Sequence, residues 1–477
     1  MVEQPLVVDL DGTLIHTDML HESALRVFRD TPLETLRMPC VLARGKALLK
    51  RHLASRAEFD PGTLPYNEEL LEWLRLKRDE GRRLILCTAS DKAIADPIAT
   101  HLGIFDDVIA SDGVTNISGK AKADTLLRRF AATGYDYAGN SHKDLPVWSA
   151  ARRAIVVNGS SSLVRKAQSV ATVEQVFPRR RIGFAGWCRT LRVHQWLKNL
   201  LLFVPLIAAH ELGNGEAWVA LALAFAAFSL CASAVYIAND LLDLESDRRH
   251  PRKRNRPFAA GLMPAYQGAL LAPLLLAVSL AIGSLAGPQF LGCLILYFVL
   301  TSAYSWLLKR LLLIDCLALA LLYTLRIIAG AAAVDQHLSF WLLAFSVFLF
   351  LSLAFVKRYA ELEVQVLSGA DRIHGRGYQI ADASLIQTMG IVAGYCSALV
   401  LALYLNSDDV LELYAAPELI WGAVPVMLFW VSWMWMQAHR GVMHDDPLVF
   451  ALKDPVSLLA GVVLAGVLVA GTVGFSW

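Results

Sequence analysis

Two short strings in this chain place carboxylates at spacings that can do chemistry. The first is Asp9-Leu10-Asp11-Gly12-Thr13-Leu14. It grows out of Pro5 to Leu10, an apolar, β-branched run that reads as a short buried strand. Carboxylates at i and i+2 after a strand point to the same side. One can attack phosphorus as a nucleophile while the other moves the proton. Gly12 permits a tight turn that frees backbone amides for a phosphate. The second string runs Asn239-Asp240-Leu241-Leu242-Asp243-Leu244-Glu245-Ser246-Asp247-Arg248. Asp240, Asp243 and Asp247 stand at i, i+3 and i+7, which puts three carboxylates on one helix face. They repel one another unless a cation sits among them. Magnesium bridging to a diphosphate meets that need, because it keeps few protein carboxylates and takes its other oxygens from elsewhere. The basic run that follows, through Lys253 and Arg256, can neutralise further phosphate oxygens.

The elements that must position these strings differ in kind. The chain has 477 residues, of which 18% are charged, with a mean hydropathy of +0.47. An ordinary soluble enzyme carries about 25% charged residues, so that class is excluded, as are disorder and coiled coil. Residues 1–180 hold 25 Lys/Arg and 23 Asp/Glu, whereas 181–477 hold 19 and 19. The first part reads as a soluble domain and the second as a membrane domain. The net charge of +2 gives no sign of a nucleic-acid partner. Seven scattered cysteines without a CxxC pair argue against a disulfide framework or a zinc site. No basic stretch followed by an apolar run opens the chain, so no cleavable signal peptide is expected.

Nine spans are expected in the membrane half, near 191–209, 216–238, 266–285, 288–307, 313–334, 339–356, 385–405, 418–438 and 456–475. The loops on one side carry fourteen Lys/Arg and those on the other none. By the positive-inside rule the basic loops and the N-terminal domain lie in the cytoplasm, and the C-terminus outside. The expected domains are 1–177, a basic juxtamembrane linker at 178–190, and 191–477. In the linker, Arg179, Arg180 and Arg181 beside Phe184 and Trp187 suit either a segment lying on anionic lipid or a plain basic connection.

In the soluble half, apolar runs at Arg83 to Cys87, Val108 to Ser111, Tyr135 to Ala138 and Ala154 to Val157 give an α/β alternation after the first strand. The order of motifs resembles the haloacid dehalogenase (HAD) phosphatase superfamily over about 1–175. The resemblance implies a Rossmann-like domain with magnesium. It makes Asp9 the nucleophile, Asp11 the acid/base, Thr88 the phosphate-binding hydroxyl and Lys122 the lysine that shields the phosphoaspartate, with Lys120 second. Asp144 matches a metal-site carboxylate, in a set with Asp9 and Asp11. The family pattern there is GDxxxD, and Asn140 replaces its first acid, offering a carbonyl oxygen with one charge fewer. Residues 18–80 are helical in pattern and are expected to form a cap.

The string NDLLDLESDRRHPRKRNRPFAAG resembles the first aspartate motif, NDxxDxxxD, of the UbiA-type intramembrane prenyltransferase superfamily, over roughly 185–477. The resemblance implies nine helices around a cavity near the cytoplasmic face. Most of that superfamily has a second motif, DxxxD, after the sixth span. Here the position reads Lys357-Arg358-Tyr359-Ala360-Glu361. The departure looks like the decaprenyl-phosphate phosphoribosyltransferase branch, as do Arg192 to Asn199 and Leu325 to Gly330. That branch joins polyprenyl phosphate to 5-phosphoribosyl diphosphate. Two anionic substrates need cations to meet, and Lys198, Arg256, Arg326, Lys357 and Arg358 lie on or near span ends. Arg326 stands inside a span, where an ionisable residue marks function by default. Asn239, Arg248, Lys253, Tyr359 and Glu361 complete the implied substrate-binding set, with magnesium on Asp240, Asp243 and Asp247.

The expectation is therefore a bifunctional, multi-pass enzyme of the cytoplasmic membrane. It transfers phosphoribose to polyprenyl phosphate and then removes the 5-phosphate. Its partners are the two substrates and the bilayer, and its oligomeric state is open. The alternative is a true prenyltransferase acting on an aromatic acceptor beside an independent or inactive HAD domain.

Overall fold

The structure is a computed structural model. It describes residues 4–180, 182–368, 377–407, 414–443 and 446–474, and of 364–368 only the backbone. Arg181 of the basic linker therefore lies outside the described residues. The chain divides into two compact units, Met1–Leu191 with Tyr236–Ala272, and Arg192–Val235 with Pro273–Trp477.

The first unit is built on a six-stranded parallel sheet in the order β3-β2-β1-β4-β5-β6. The strands are β1 (Leu6–Val8), β2 (Leu84–Asp91), β3 (Asp107–Ser111), β4 (Asp136–Gly139), β5 (Arg153–Gly159) and β6 (Thr172–Pro178). Alternation sets the two faces. Leu6, Val8, Leu84 and Leu86 point into one core, and Val7, Ile85 and Cys87 into the other, all fully buried. The strand order reverses at β1, and in such sheets the crevice for ligands opens at the carboxyl ends beside the reversal. Asp9 follows β1 directly.

Two details differ from the sequence reading. The strand series does not close at Val157, because Thr172–Pro178 adds a sixth strand at the sheet edge. Nor does the cap reach residue 80. The helix Glu68–Asp79 buries Leu70, Leu71 and Leu74 in the sheet core, which makes it a crossover helix. The cap is formed by helix α1 (Met19–Asp30), two short helices at Pro32–Thr35 and Met38–Ala43, and helix α2 (Lys46–Ala54). Within the linker, Phe184–Thr190 is helical.

Among the described residues, eight helices are long and apolar enough to cross a membrane, and the chain is a multi-pass membrane protein. They include α3 (Gly215–Leu242), whose last turn belongs to the first unit, where α4 (Leu244–Arg249) follows it. In the second unit they include α5 (Ile314–Ala333) and α6 (Phe340–Ser368). The first of the nine expected spans is not a regular α-helix. Val193–Phe203 winds as a 3₁₀ helix of 11 residues, and Val204–Ala208 adds an α-helical turn behind Pro205. At about 2.0 Å per 3₁₀ residue and 1.5 Å per α residue, the segment reaches about 30 Å, the thickness of a bilayer's apolar core. Its polar groups bond to neighbours, with Trp196 Nε1 donating to Ser233 Oγ and Asn199 Nδ2 to Ser229 Oγ, each at 3.0 Å.

Gly330 on α5 allows this segment to approach closely. A Cβ there would lie 2.0 Å from the Leu202 carbonyl oxygen. Gly330→Ala is expected to destabilise the membrane unit by about 1–3 kcal/mol through overpacking, read as a lower unfolding temperature in detergent. Gly292→Ala, where a Cβ meets nothing within 4 Å, should leave that temperature unchanged.

Candidate active sites

The crevice beside β1 gathers most of the residues expected there. Asp9 is held by its amide on the Ala138 carbonyl at 3.0 Å. Gly12 takes φ +73° and its amide donates to Thr17 O at 3.0 Å, closing the loop. Asp11 accepts from the Met19 amide at 2.8 Å and from Ser90 Oγ at 2.6 Å. Thr88 Oγ1 stands 3.5 Å from the same carboxylate. Lys122, in the first turn of Lys120–Arg129, donates to Asp9 Oδ1 at 2.7 Å, Tyr137 OH at 2.9 Å and Cys87 O at 3.1 Å. The Tyr137 hydroxyl in turn donates to Asp144 Oδ1 at 3.1 Å. The other Asp144 oxygen accepts from the amides of Asn140 and Ser141 and from Ser141 Oγ. Asn140 reaches back to the nucleophile loop, where a Cβ on Gly12 would meet its Nδ2 at 2.0 Å.

Burial dominates the electrostatics of this crevice. It pushes the Asp9 carboxyl up to about 6, against the pull of Lys122 and with the repulsion of Asp144. It pushes Asp11 up to about 7, aided by the Asp18 charge and opposed by the Met19 amide and Ser90. Burial works against the Lys122 charge, but Asp9 and its neighbours outweigh it and hold the lysine above its ordinary value. Burial thus favours the protonated form of Asp11, the form able to donate a proton.

Three participants had no motif to reveal them. Ser90 lies two residues after Thr88 on one strand, and Tyr137 bridges Lys122 and Asp144. Lys50 reaches from the cap to Ala89 O at 2.6 Å and Asn116 Oδ1 at 3.0 Å.

The second aspartate string also belongs to the first unit, in a different shape from the one its spacing suggests. Helix α3 stops at Leu242, Asp243 leaves helical geometry at φ −99°, ψ 13°, and α4 restarts at Leu244. The three carboxylates are therefore not on one continuous helix face. Asp240 and Asp247, each 2% exposed, converge on Arg256 Nη1 at 3.1 and 2.6 Å, while Asp243 is half-buried at the break. Burial pushes the Asp247 carboxyl up against the pull of Arg256. Asn239 is half-buried and Lys253 exposed on the turn Lys253–Asn255. Arg248 is engaged by protein, as a two-pronged pair with Glu22 at 2.9 and 2.5 Å and through Nε to Ala259 O at 3.0 Å.

The cations of the second unit separate into two sets. Arg358 is fully buried and paired with Asp315 at 2.5 Å and with Glu361, and Tyr378 OH donates to the same Asp315 at 2.5 Å. Tyr359 OH meets His439 Nδ1 at 2.9 Å. The other set surrounds Tyr323. Lys198 Nζ lies 2.7 Å and Lys357 Nζ 3.4 Å from Asp446 Oδ2, and the Tyr323 hydroxyl donates to Asp446 at 2.9 Å. Lys198 and Arg326 approach the Tyr323 ring at 5.6 and 5.7 Å. Arg326 donates to neutral acceptors, namely Asn199 Oδ1, the Leu322 carbonyl and Tyr297 OH. Its guanidinium also stacks 4.8 Å from the Tyr297 ring. Two lysines thus pair with Asp446, and Arg326 approaches the same Tyr323 ring. Asp446, Tyr323, Tyr297 and Asn199 were not among the expected site residues. Only their placement reveals them, since Asp446 is 89 residues from Lys357.

Residues 200–452, more than half of the chain, match the UbiA prenyltransferase family. The chain belongs to that family. Residues 6–149 match the haloacid dehalogenase-like hydrolases, so this UbiA-family protein carries an N-terminal HAD domain. It is 38% identical to the protein y4nM of Sinorhizobium fredii over 98% of this chain and 90% of that one. It is 36% identical to nodulation protein NoeC of Azorhizobium caulinodans over 58% of this chain and 91% of that one. To the decaprenyl-phosphate phosphoribosyltransferase of Mycolicibacterium smegmatis it is 32% identical, over 57% of this chain and 87% of that one.

Both acidic clusters suit magnesium in their chemistry. Among the described residues no three acidic, histidine or cysteine side chains are gathered to hold a metal alone. Magnesium does not require that, since it keeps several waters and uses one or two carboxylates with substrate oxygens. Asp240 and Asp247 already converge on one positive charge, and Asp9 offers hard oxygens beside the Gly12 loop, toward which Asn140 turns its amide nitrogen. A carboxylate must lose its proton to bind metal. With Asp9 at about 6, magnesium binding near that pH should release protons, and the release should fade as the pH rises well above it. Titration calorimetry in buffers of different ionisation enthalpy measures the number, and Asp9→Asn should lower it.

Proposed function

We propose that the protein transfers 5-phosphoribose from phosphoribosyl diphosphate to a polyprenyl phosphate and then removes the 5-phosphate in its HAD domain. The product is a polyprenyl-phosphoryl-ribose. The observation that carries this reading is the gathering of Lys198, Lys357 and Arg326 around Tyr323, where, among the described residues, Asp446 is the carboxylate paired with both lysines. Cations gathered in an apolar unit suit an anionic acceptor, whereas a neutral aromatic acceptor would leave only the donor diphosphate to use them. The similarity to a decaprenyl-phosphate phosphoribosyltransferase supports the same substrate class.

In this reading Lys198, Lys357 and Arg326 bind the acceptor phosphate, and Asp240, Asp247 and Arg256 receive the donor diphosphate. Asp240 and Asp247 would hold magnesium, which would supply positive charge to the departing diphosphate. A phosphate oxygen of the lipid forms its bond to the anomeric carbon as the bond to diphosphate breaks. Positive charge develops on the ribosyl centre, as in other glycosyl chemistry. No general base is needed, because the attacking oxygen is already ionised. Positioning and fixed charge lower the barrier.

In the HAD domain Asp9 attacks the phosphorus of the 5-phosphate while Asp11 gives its proton to the leaving sugar oxygen. Water then hydrolyses the phosphoaspartate with Asp11 as base. Lys122 holds Asp9 in place and offsets phosphate charge. Joining the two activities in one chain raises the effective concentration of the intermediate. In this reading both activities lie on the cytoplasmic side of the inner membrane, with the C-terminus outside, as the charge of the basic loops supports.

Purified protein with magnesium, polyprenyl phosphate and phosphoribosyl diphosphate should yield the ribose lipid by mass spectrometry. Asp9→Asn should stop at the phosphoribose lipid, and Asp240→Asn should give neither product. Lys198→Ala should raise KM for the lipid about tenfold or more, the scale of one lost charge-assisted hydrogen bond of 1.5–3 kcal/mol. If Asp9→Asn still yields dephosphorylated lipid, the role given to the HAD domain is wrong. If only allylic diphosphates react, the protein is a true prenyltransferase.

A further inference from the structure

The cap of the first unit exposes more apolar surface than a water-facing element has reason to. Leu33 and Leu36 are 79% and 76% exposed, and Phe28 and Leu42 are 41% and 46% exposed. The short helices Pro32–Thr35 and Met38–Ala43 bury no residue at all. Apolar residues clustered this way mark an interaction surface.

Charge says what kind of surface fits. Residues 31–57 contain six Lys/Arg and one acid, Glu34. Glu34 is already engaged by Arg37 at 2.7 Å and lies near Arg56 and His52. Exposed leucines beside Arg37, Arg44 and Lys46 have the composition of segments that lie in an anionic headgroup layer.

Position within the unit agrees. Helix α1 is fastened to the end of the membrane-length helix α3. Arg29 Nη1 donates to the carbonyl of Leu242, the last residue of α3, at 3.4 Å. Arg26 pairs with Glu245, and Glu22 with Arg248 at 2.5 Å. Phe28 precedes Arg29 by one residue, and Leu33 follows it by four. The apolar strip therefore begins beside a group that touches the final turn of a helix long enough to cross the bilayer. The same unit carries Phe184, 85% exposed, and Trp187, 43% exposed, beside Arg189 in Phe184–Thr190.

We infer that the cap rests on the membrane surface, with Leu33, Leu36 and their neighbours entering an anionic lipid headgroup layer. This holds the HAD domain at the level where a lipid-linked phosphate presents itself. The contact itself does not depend on the function proposed above, but its usefulness does.

Cys40 is exposed between Leu36 and Leu42 and serves as a probe. Full-length protein with Cys40 as its one cysteine is labelled there with a fluorophore. It is placed in nanodiscs of phosphatidylcholine with phosphatidylglycerol. The label should be quenched by lipids spin-labelled near the headgroup and shielded from aqueous iodide. Leu33→Glu with Leu36→Glu should cut lipid quenching and raise iodide quenching severalfold each. Discs of phosphatidylcholine alone should give weaker lipid quenching. A label open to iodide and silent to the lipid quencher in the unsubstituted chain overturns the inference. So does a label shielded from iodide when, in the unlabelled protein, Cys40 cross-links to Cys40 of a second copy. The quenching reads the contact whatever the two active sites turn over, so its failure is separate from failure of the proposed reaction. Where both readings hold, the double substitution should slow dephosphorylation of the lipid severalfold and leave hydrolysis of a soluble phosphate ester unchanged.

Discussion

A charge removed from water costs several kcal/mol unless another charge or a set of aligned dipoles meets it, and both units are arranged around that requirement. Where the charge is structural, the account balances. Arg82 pairs with Asp136 at the sheet, and Arg358 is set between Asp315 and Glu361 with no exposed surface. Where the charge belongs to a candidate site, it does not balance. In the HAD crevice burial pushes the Asp9 and Asp11 carboxyls up, and neighbouring carboxylates add to it, those of Asp144 for Asp9 and Asp18 for Asp11. Around Tyr323 the imbalance has the opposite sign. An excess of carboxylates is what a divalent cation relieves, and an excess of cations is what a phosphate relieves. The two signs separate the two chemistries more sharply than any one residue does.

The sheet and most of the HAD crevice were legible in the sequence, because strand motifs place their residues locally. Asp9 and Asp11 sit on one loop, and Lys122 opens a helix. The edge strand Thr172–Pro178 was not, since a strand with a neighbour on one side only needs little apolar alternation to hold it. Tyr137 was also missed. It lies inside an apolar strand run, and its role depends on a hydroxyl meeting Lys122 from a different element. The spans were legible as lengths of apolar chain. The form of the first was not, because hydropathy does not distinguish a 3₁₀ winding that brings the Leu202 carbonyl against Gly330. Asp446 was the largest omission. A buried carboxylate that pairs with two lysines from distant segments has no local pattern to announce it.

Arg248 shows how a motif can mislead about its own members. Its place in DRRHPRKRNRP suggests a phosphate ligand, yet its guanidinium is committed to Glu22 and the Ala259 carbonyl. With side chains only 7% and 13% exposed, this pair is of the kind whose breaking leaves an uncompensated buried charge, at about 3–5 kcal/mol. That is a large share of the 5–15 kcal/mol that typically separates a folded domain from its unfolded chain. The turn holding Asp240, Asp243 and Asp247 is thus fixed by a helix of the HAD domain as well as by its own residues. Arg26 with Glu245 and Arg29 with the Leu242 carbonyl add to the same fastening. The helix break at Asp243, which separates that aspartate from the two on Arg256, lies between the Leu242 and Glu245 attachments. The HAD domain is therefore part of the scaffold of the aspartate segment. A substitution on α1 can disturb that segment without touching any residue of either candidate site.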